Sequence, residues 1–399
     1  MSLTSKPPSL LPSLPPSLPP SPPPSLLPSQ SPLLPPFEPP PFLPPLQPRS
    51  LPPSQSPPLP PSESPSLPPS PPPLLPPQPP LVVSSSENLT SNSTRTTFMI
   101  SLMHNMTDEE LLLKASRVPP VQDVTNMSHP KVAFMFLARG ELPLGPLWEK
   151  FFKGREGFYS IYLHQDPSFN ETVPEDSVFY GKKIPSQPVL WGTSSMIDAE
   201  RRLLANALLD PCNQRFVLLS ESCIPVFNFT TIYNYLINSN LSFTAIFDDP
   251  GRAGRGRYNP KMWPIINITD WRKGSQWFEV NRELALDIVS DTKYYPIFKQ
   301  FCLPPCYNDE HYIPTLVHMK HSELNSNRSL TWVDWSRGGP HPRKFGWIDV
   351  KPELINYIKF GSECVYNGNT TNVCFLFARK FLPNTLRPLL RVAPWLLGI

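Results

Sequence analysis

Apolar and polar positions change rhythm several times along the chain. Residues 132–137 form an unbroken apolar run, as in a strand buried on both faces of a sheet. Residues 158–163, 216–219, 243–247 and 373–377 share that texture. Helical periodicity lies between them. It is clearest over 196–209, where Ile197, Leu204 and Leu208 share a stripe and Ser194 or Ser195 can cap the start. Shorter helical patterns cover 232–236 and 284–289, and Thr107 with Glu110 makes a capping-box pattern ahead of Leu111, Leu112 and Leu113. Alternating buried strands and amphipathic helices predict an α/β fold with a mixed, mostly parallel sheet flanked by helices. In such sheets ligands sit beyond the carboxyl ends of the strands. That rule directs attention to 138–140, 164–167, 220–225 and 248–250.

Composition divides the chain. Of 60 prolines among 399 residues, 36 fall within residues 1–80, which carry four charged side chains (Lys6, Glu38, Arg49, Glu63) and no tryptophan. Proline fixes φ and removes a backbone donor, so neither a helix nor a sheet interior forms there. We read 1–81 as a disordered Pro-rich segment, 82–106 as a polar linker or stem, and 107–399 as one folded domain long enough to bury a large core. The net charge of +3 argues against a dedicated nucleic-acid binder. No run of 18 apolar residues is present. Ten Asn-x-Ser/Thr positions occur where about three are expected by chance, and the cysteines are even in number at six. Both features describe a lumenal or extracellular domain.

Several residues can carry chemistry, and each has a plainer explanation. Asp166 follows an expected strand and can hydrogen-bond a ribose or a base edge, or simply occupy an Asp-Pro turn. Asp248 and Asp249 can hold a divalent cation at a strand tip, or cap the turn that follows them. The glycine-rich loop 251–257 is basic, reads as mobile, and lacks the spacing of a dinucleotide fingerprint or a P-loop. Arg252, Arg255 and Arg257 suit an anionic donor or acceptor there, and a plain solvated loop explains them equally well. Cys302 and Cys306, with His311, His318 and His321 nearby, match no zinc spacing, so disulfides and ordinary histidines are the better account. Asn308 and Asp309 can cap a helix whose first turn holds Glu310, with Pro314 kinking or delaying it. A carboxylate there either complements the helix dipole or serves as a general base facing a cleft. Trp332 and Trp335 offer aromatic faces for sugar rings, while core packing explains at least one of them. Arg379 and Lys380 place two cations at a strand exit, suited to a leaving diphosphate or, more plainly, an ordinary helix-flanking surface pair.

Taken in order, seven blocks resemble a known family. They are 132–137 (VAFMFL), 191–202 (WGTSSMIDAERR), 216–225 (FVLLSESCIP), 273–282 (KGSQWFEVNR), 306–311 (CYNDEH), 330–339 (LTWVDWSRGG) and 374–381 (CFLFARKF). The resemblance is to the plant branch of the core-2/I-branching β-1,6-N-acetylglucosaminyltransferases, glycosyltransferase family 14. It implies a GT-A-like fold and inverting transfer of GlcNAc or glucuronic acid from a UDP-sugar to a hydroxyl of a glycan acceptor on secreted or cell-wall glycans. By that resemblance Glu310 is the catalytic base, Lys380 neutralises the departing diphosphate with Arg379 beside it, and Asp166 contacts the nucleotide. Arg257 and Trp335 are the expected substrate contacts. No metal cofactor is implied, which counts against Asp248 and Asp249 as ligands. The family's animal members carry a second phosphate-binding arginine where this chain has Gly361, and Lys359 or Arg379 would have to substitute. Members are single-pass Golgi membrane proteins with lumenal catalytic domains. Membrane association is expected on that ground, although the chain as given shows no anchor. The competing reading is a non-catalytic glycan-binding or scaffold protein that keeps the fold.

Overall fold

A computed structural model describes residues 102–118 and 129–398. The Pro-rich segment 1–81 and most of the 82–106 stem lie outside the described residues. The central sheet is built on β1 (Lys131–Leu137), β2 (Tyr159–His164) and β3 (Asn213–Ser220), which are parallel, in the order β2-β1-β3. Two short strands follow, β4 (Ile224–Pro225) and β5 (Glu279–Asn281), and β5 closes the sheet antiparallel to β3. A second small sheet joins β4, β9 (Phe377–Ala378) and β6 (Thr331–Trp332), and a hairpin pairs β7 (Cys364–Tyr366) with β8 (Asn369–Thr371).

The unbroken apolar run of β1 has a direct cause. Val132, Phe134 and Phe136 point into one core, while Ala133 and Met135 point into another on the opposite face. The first core is covered by α2 (Gly145–Phe152), α4 (Phe229–Ile237), α8 (Pro352–Phe360) and α9 (Leu386–Leu397). The second is covered by α1 (Asp108–Ser116), α3 (Ser194–Leu208), α5 (Arg282–Ser290), α6 (Tyr295–Phe301) and α7 (Tyr312–Lys320). The result is a three-layer sandwich, with a period-two strand that has no solvated face.

The expected elements form with informative shifts. The capping box of α1 is complete, with Thr107 Oγ1 accepting from Glu110 N and Glu110 accepting from Thr107 N. Leu102 and Met106 already pack against the core under α1, so packing begins ahead of Thr107. The cap of α3 is Thr193, one residue before the expected serines; Ser195 Oγ instead accepts from Leu190 N. The expected strand at 243–247 makes only isolated bridges, Phe243 to Glu279 and Phe247 to Lys273. Its ladder is pre-empted because the Asn325 side chain binds both the N–H and the carbonyl of Thr244. The strand expected at 373–377 shrinks to Phe377–Ala378, because Cys374 is tied to Cys364 by a disulfide and turns back onto the hairpin. Cys302 and Cys306 form a second disulfide, while Cys212 and Cys223 remain thiols.

Candidate functional site

Strand order locates a cleft. The connection from β1 runs through α2 on one face to β2, and the next runs through α3 on the opposite face to β3, on the other side of β1. The carboxyl ends of β1 and β3 therefore flank a topological switch point, where open α/β sheets leave a crevice for ligands.

Positive charge collects beside this crevice. Arg139 follows β1 and is exposed. Phe381 N donates to Ser222 O at 3.0 Å, which ties the segment after β9 to the turn after β3. Phe345 N donates to Lys380 O at 2.9 Å and brings Lys344 to the same region. Burial, and then the charge of Arg379, press the Lys380 ammonium below the ordinary lysine range; Lys344 and Arg139 push the same way and Glu221 opposes them. The Arg379 guanidinium lies 4.0 Å above the Trp277 ring, and its Nε is buried with no hydrogen-bond partner among the described residues. An unpaired donor of this kind can be satisfied by an incoming anion. Lys359, the other side chain expected to substitute for a missing arginine, packs instead over Phe227 and Trp395 at 4.6 and 5.2 Å.

A carboxylate faces the other part of the site. A 3-10 turn, Asn308–Glu310, precedes α7. Pro314 delays the α-helix as expected and falls in its first turn, where a missing N–H breaks no intrahelical bond. Glu310 Oε2 accepts from Arg257 Nη1 at 2.6 Å and from Lys273 Nζ at 2.9 Å. Burial pushes this carboxyl upward, but Lys273 and Arg257 outweigh it and hold Glu310 below the usual carboxylate range. Its carbonyl is also held, by Gly274 N at 2.8 Å. Any side chain at Gly274 would meet the Ala245 carbonyl, so this close approach requires glycine.

Two further carboxyls are shut away from water: Asp309, the chain neighbour of Glu310, and Glu200, which feels the Asp309 charge. Burial, then the charge of Glu310, raises Asp309 to about 6, and burial pushes Glu200 well above the ordinary range. Each has one oxygen without a partner among the described residues, although Glu200 Oε1 accepts from Gln276 Nε2 at 2.9 Å. His311 is fully buried on Trp271 and its Nδ1 meets Arg272 O at 2.8 Å; burial lowers it to about 4, so it stays neutral.

The aromatic wall beside Glu310 comes from an unexpected source. Tyr307 adopts a left-handed φ of 60°, stacks its ring near the Arg257 guanidinium at 4.5 Å, and meets Trp191 at 4.8 Å. Gly192, with φ 79°, passes so close to Tyr307 that a Cβ would lie 2.8 Å from its ring.

One short segment connects the two parts. Lys273 grips Glu310 while Trp277 underlies Arg379. Four residues span at most about 14 Å of extended chain, so a short backbone segment links the contact to Glu310 with the ring beneath Arg379.

The remaining candidates are placed as follows. Asp166 is exposed after β2, and its Oδ1 accepts from both N and Oγ of Ser168, the Asp-Pro turn arrangement; those bonds lower its pKa. Asp249 caps the turn at Gly251 N, at 2.7 Å, and Asp248 pairs with Arg255 at 2.5 Å, so both carboxylates serve the loop itself. The 251–257 loop is not free: Arg255 is held by Asp248 and Arg257 by Glu310, a correction to its reading as a mobile basic loop. Trp332 packs on Phe345 at 5.7 Å, and Trp335 is half-exposed with no ring partner among the described residues. Lys273, Trp277, Tyr307 and Trp191 were not singled out from the sequence. All four lie in or beside the blocks of resemblance, but a lone lysine or aromatic shows no spacing that marks it.

Residues 132–359 match the Core-2/I-Branching enzyme family, and the chain belongs to that family. It is a glycosyltransferase by that membership, and its mixed α/β architecture agrees with a GT-A-like fold. Among curated proteins, Glycosyltransferase BC10 of Oryza sativa subsp. japonica is 39% identical over 298 residues, covering 63% of this chain and 73% of that relative. The family match includes Glu310 and its cationic partners and stops before Arg379 and Lys380.

Proposed function

We propose that this glycosyltransferase carries out inverting transfer from a UDP-sugar, GlcNAc or glucuronic acid being the donor sugar, to a hydroxyl of a glycan. The observation that carries the reading is Glu310, held ionised by Lys273 and Arg257 and joined through residues 273–277 to the Arg379–Lys380 strand exit. In the transfer the acceptor oxygen bonds to the anomeric carbon as the bond from that carbon to the diphosphate oxygen breaks. Glu310 takes the acceptor proton, and the electron pair leaves with UDP. Lys380 and Arg379 neutralise the charge that grows on the diphosphate. Asp166 meets the nucleotide, and Trp335 offers a ring face to the acceptor. Arg257 contacts substrate while keeping Glu310 deprotonated. No metal is assigned: in this reading Lys380 and Arg379 take the diphosphate charge, while Asp248 is paired with Arg255 and Asp249 accepts from Gly251 N.

The protein is assigned to the lumen of the secretory pathway, with Golgi membrane association, supported by its family, its sequons and its two disulfides. No helix among the described residues is long and apolar enough to cross a membrane. The test is UDP release by the chain secreted from a eukaryotic host, across a panel of UDP-sugars and β-linked glycan acceptors. Turnover with one donor establishes the reaction. UDP binding without turnover on any acceptor favours the non-catalytic glycan-binding alternative, and absence of UDP binding overturns the site.

A further inference from the structure

A cavity of 1050 Å³ opens between the 3-10 turn Trp347–Asp349, the start of α8 and the exposed side of α9, and neither Glu310 nor Lys380 lines it. Its size matches the upper end of small-molecule sites, about 300–1,000 Å³. Its walls have a distinct chemistry. Arg387 and Arg391 are four apart on α9 and so share one helix face. Lys351 faces them from the start of α8. All three are exposed and none forms an ion pair among the described residues. A fourth cation, Arg343, is already spent on Asp349 at 2.7 Å. Glu353 is the remaining acid on the lining, so the open charge in the groove is net positive. Trp347 and Ile348 stand 65% and 62% exposed at its rim, an apolar pair with no core to enter.

Exposed arginines with a free indole face suit a ring that is apolar on its face and carboxylated at its edge. Guanidinium pairs with carboxylate in a two-pronged geometry, and an aromatic ring stacks on the apolar face of a sugar. The lining is concave, which fits a chain polymer better than a bilayer surface. The groove also borders Phe345, whose N–H donates to Lys380 O, so its wall adjoins the segment that carries the cationic strand exit. We propose that this groove is a docking site for a carboxylated polysaccharide, a uronic-acid chain held outside the transfer site by Arg387, Arg391, Lys351 and Trp347. This goes beyond the assignment of the transfer reaction and does not depend on which donor is used.

The experiment is affinity electrophoresis and calorimetry of the full chain with polygalacturonic-acid oligosaccharides, their methyl esters, and vesicles containing phosphatidylserine. Binding to the free acid should weaken steeply with added salt. It should fall at least tenfold in the paired variant Arg387→Ala/Arg391→Ala and in Trp347→Ala, and by a similar factor for the uncharged methyl esters. Circular dichroism and UDP binding on the same variants report the fold and the transfer site separately, so loss of UDP binding alone leaves the groove assignment standing. Equal binding of acid and ester, unchanged binding in both variants, no binding at all, or arginine-dependent capture by the vesicles alone would each overturn it.

Discussion

Glu310 is ionised because of its neighbours rather than because of its exposure. Two predictions follow from that balance. Glu310→Gln keeps the shape but removes the proton acceptor, so turnover should drop by a factor of roughly 10²–10⁴ while UDP binding is retained; unchanged turnover would remove Glu310 from the role of base. Lys273→Met deletes one cation that holds the carboxyl down, so the pKa of Glu310 must rise. The base is active only when deprotonated, and the acidic limb of the kcat/KM profile should therefore move to higher pH. A profile that stays in place means Lys273 acts only by packing. The buried Glu200 gives a prediction of opposite sign. Its folded-state pKa is raised, so the unfolded chain gains relative to the folded one as pH rises above about 4.3, the free glutamate value. Glu200→Gln keeps the acceptor for Gln276 and removes that burden. The variant should melt higher than the parent at alkaline pH, with the difference vanishing in acid. At this scale Glu310 was legible as a candidate, because its Cys-Tyr-Asn-Asp-Glu-His block resembles the family's. Lys273 and Glu200 were not: their partners lie 37 and 76 residues away, and no local pattern announces such a contact.

Among the elements, the antiparallel edge of the central sheet depends on a buried ion pair. Arg215 Nε and Nη2 hold Glu279 at 2.6 and 2.8 Å, and both side chains are buried. Burial pushes Glu279 up and Arg215 pulls it back. Arg215→Met strands the carboxylate and should cost about 3–5 kcal/mol in urea unfolding, whereas replacing both partners with apolar residues should cost far less. The hairpin of β7 and β8 is clamped by Cys364–Cys374, and Cys364→Ser/Cys374→Ser should cost about 2–3 kcal/mol, read in the same way. The strands of the parallel core were readable because β1 alternates between two buried faces, which leaves an unmistakable apolar run. The strand expected at 243–247 does not form, since the side-chain amide of Asn325, 81 residues away, replaces its ladder and leaves no trace in the segment's own apolar pattern.

For the whole molecule, the cleft follows from the order β2-β1-β3, which sets a turn from each strand end beside a segment that arrives from far along the chain. Cationic side chains, Lys380 and Arg379, stand at the strand exit beside that cleft, and the acidic pair at 248–249 is engaged within its own loop. Donor turnover should therefore persist undiminished in EDTA; strict dependence on added Mn²⁺ would return Asp248 and Asp249 to the site as ligands.

By itself, the sequence determined what is local or periodic: an α/β succession set by period-two and period-3.6 patterns, a capping box at Thr107, and blocks of family likeness around Glu310 and Lys380. Hydrophobic periodicity and caps act within a few residues, so they survive in the linear text. Only the tertiary structure decided which charges meet. It joined Arg257 and Lys273 to Glu310, laid Trp277 beneath Arg379, turned Lys359 away to aromatic packing, and opened the groove at α9. Those contacts depend on strand order and on backbone passing close at Gly192 and Gly274, and the energy of a contact between distant residues leaves no periodic trace in either segment.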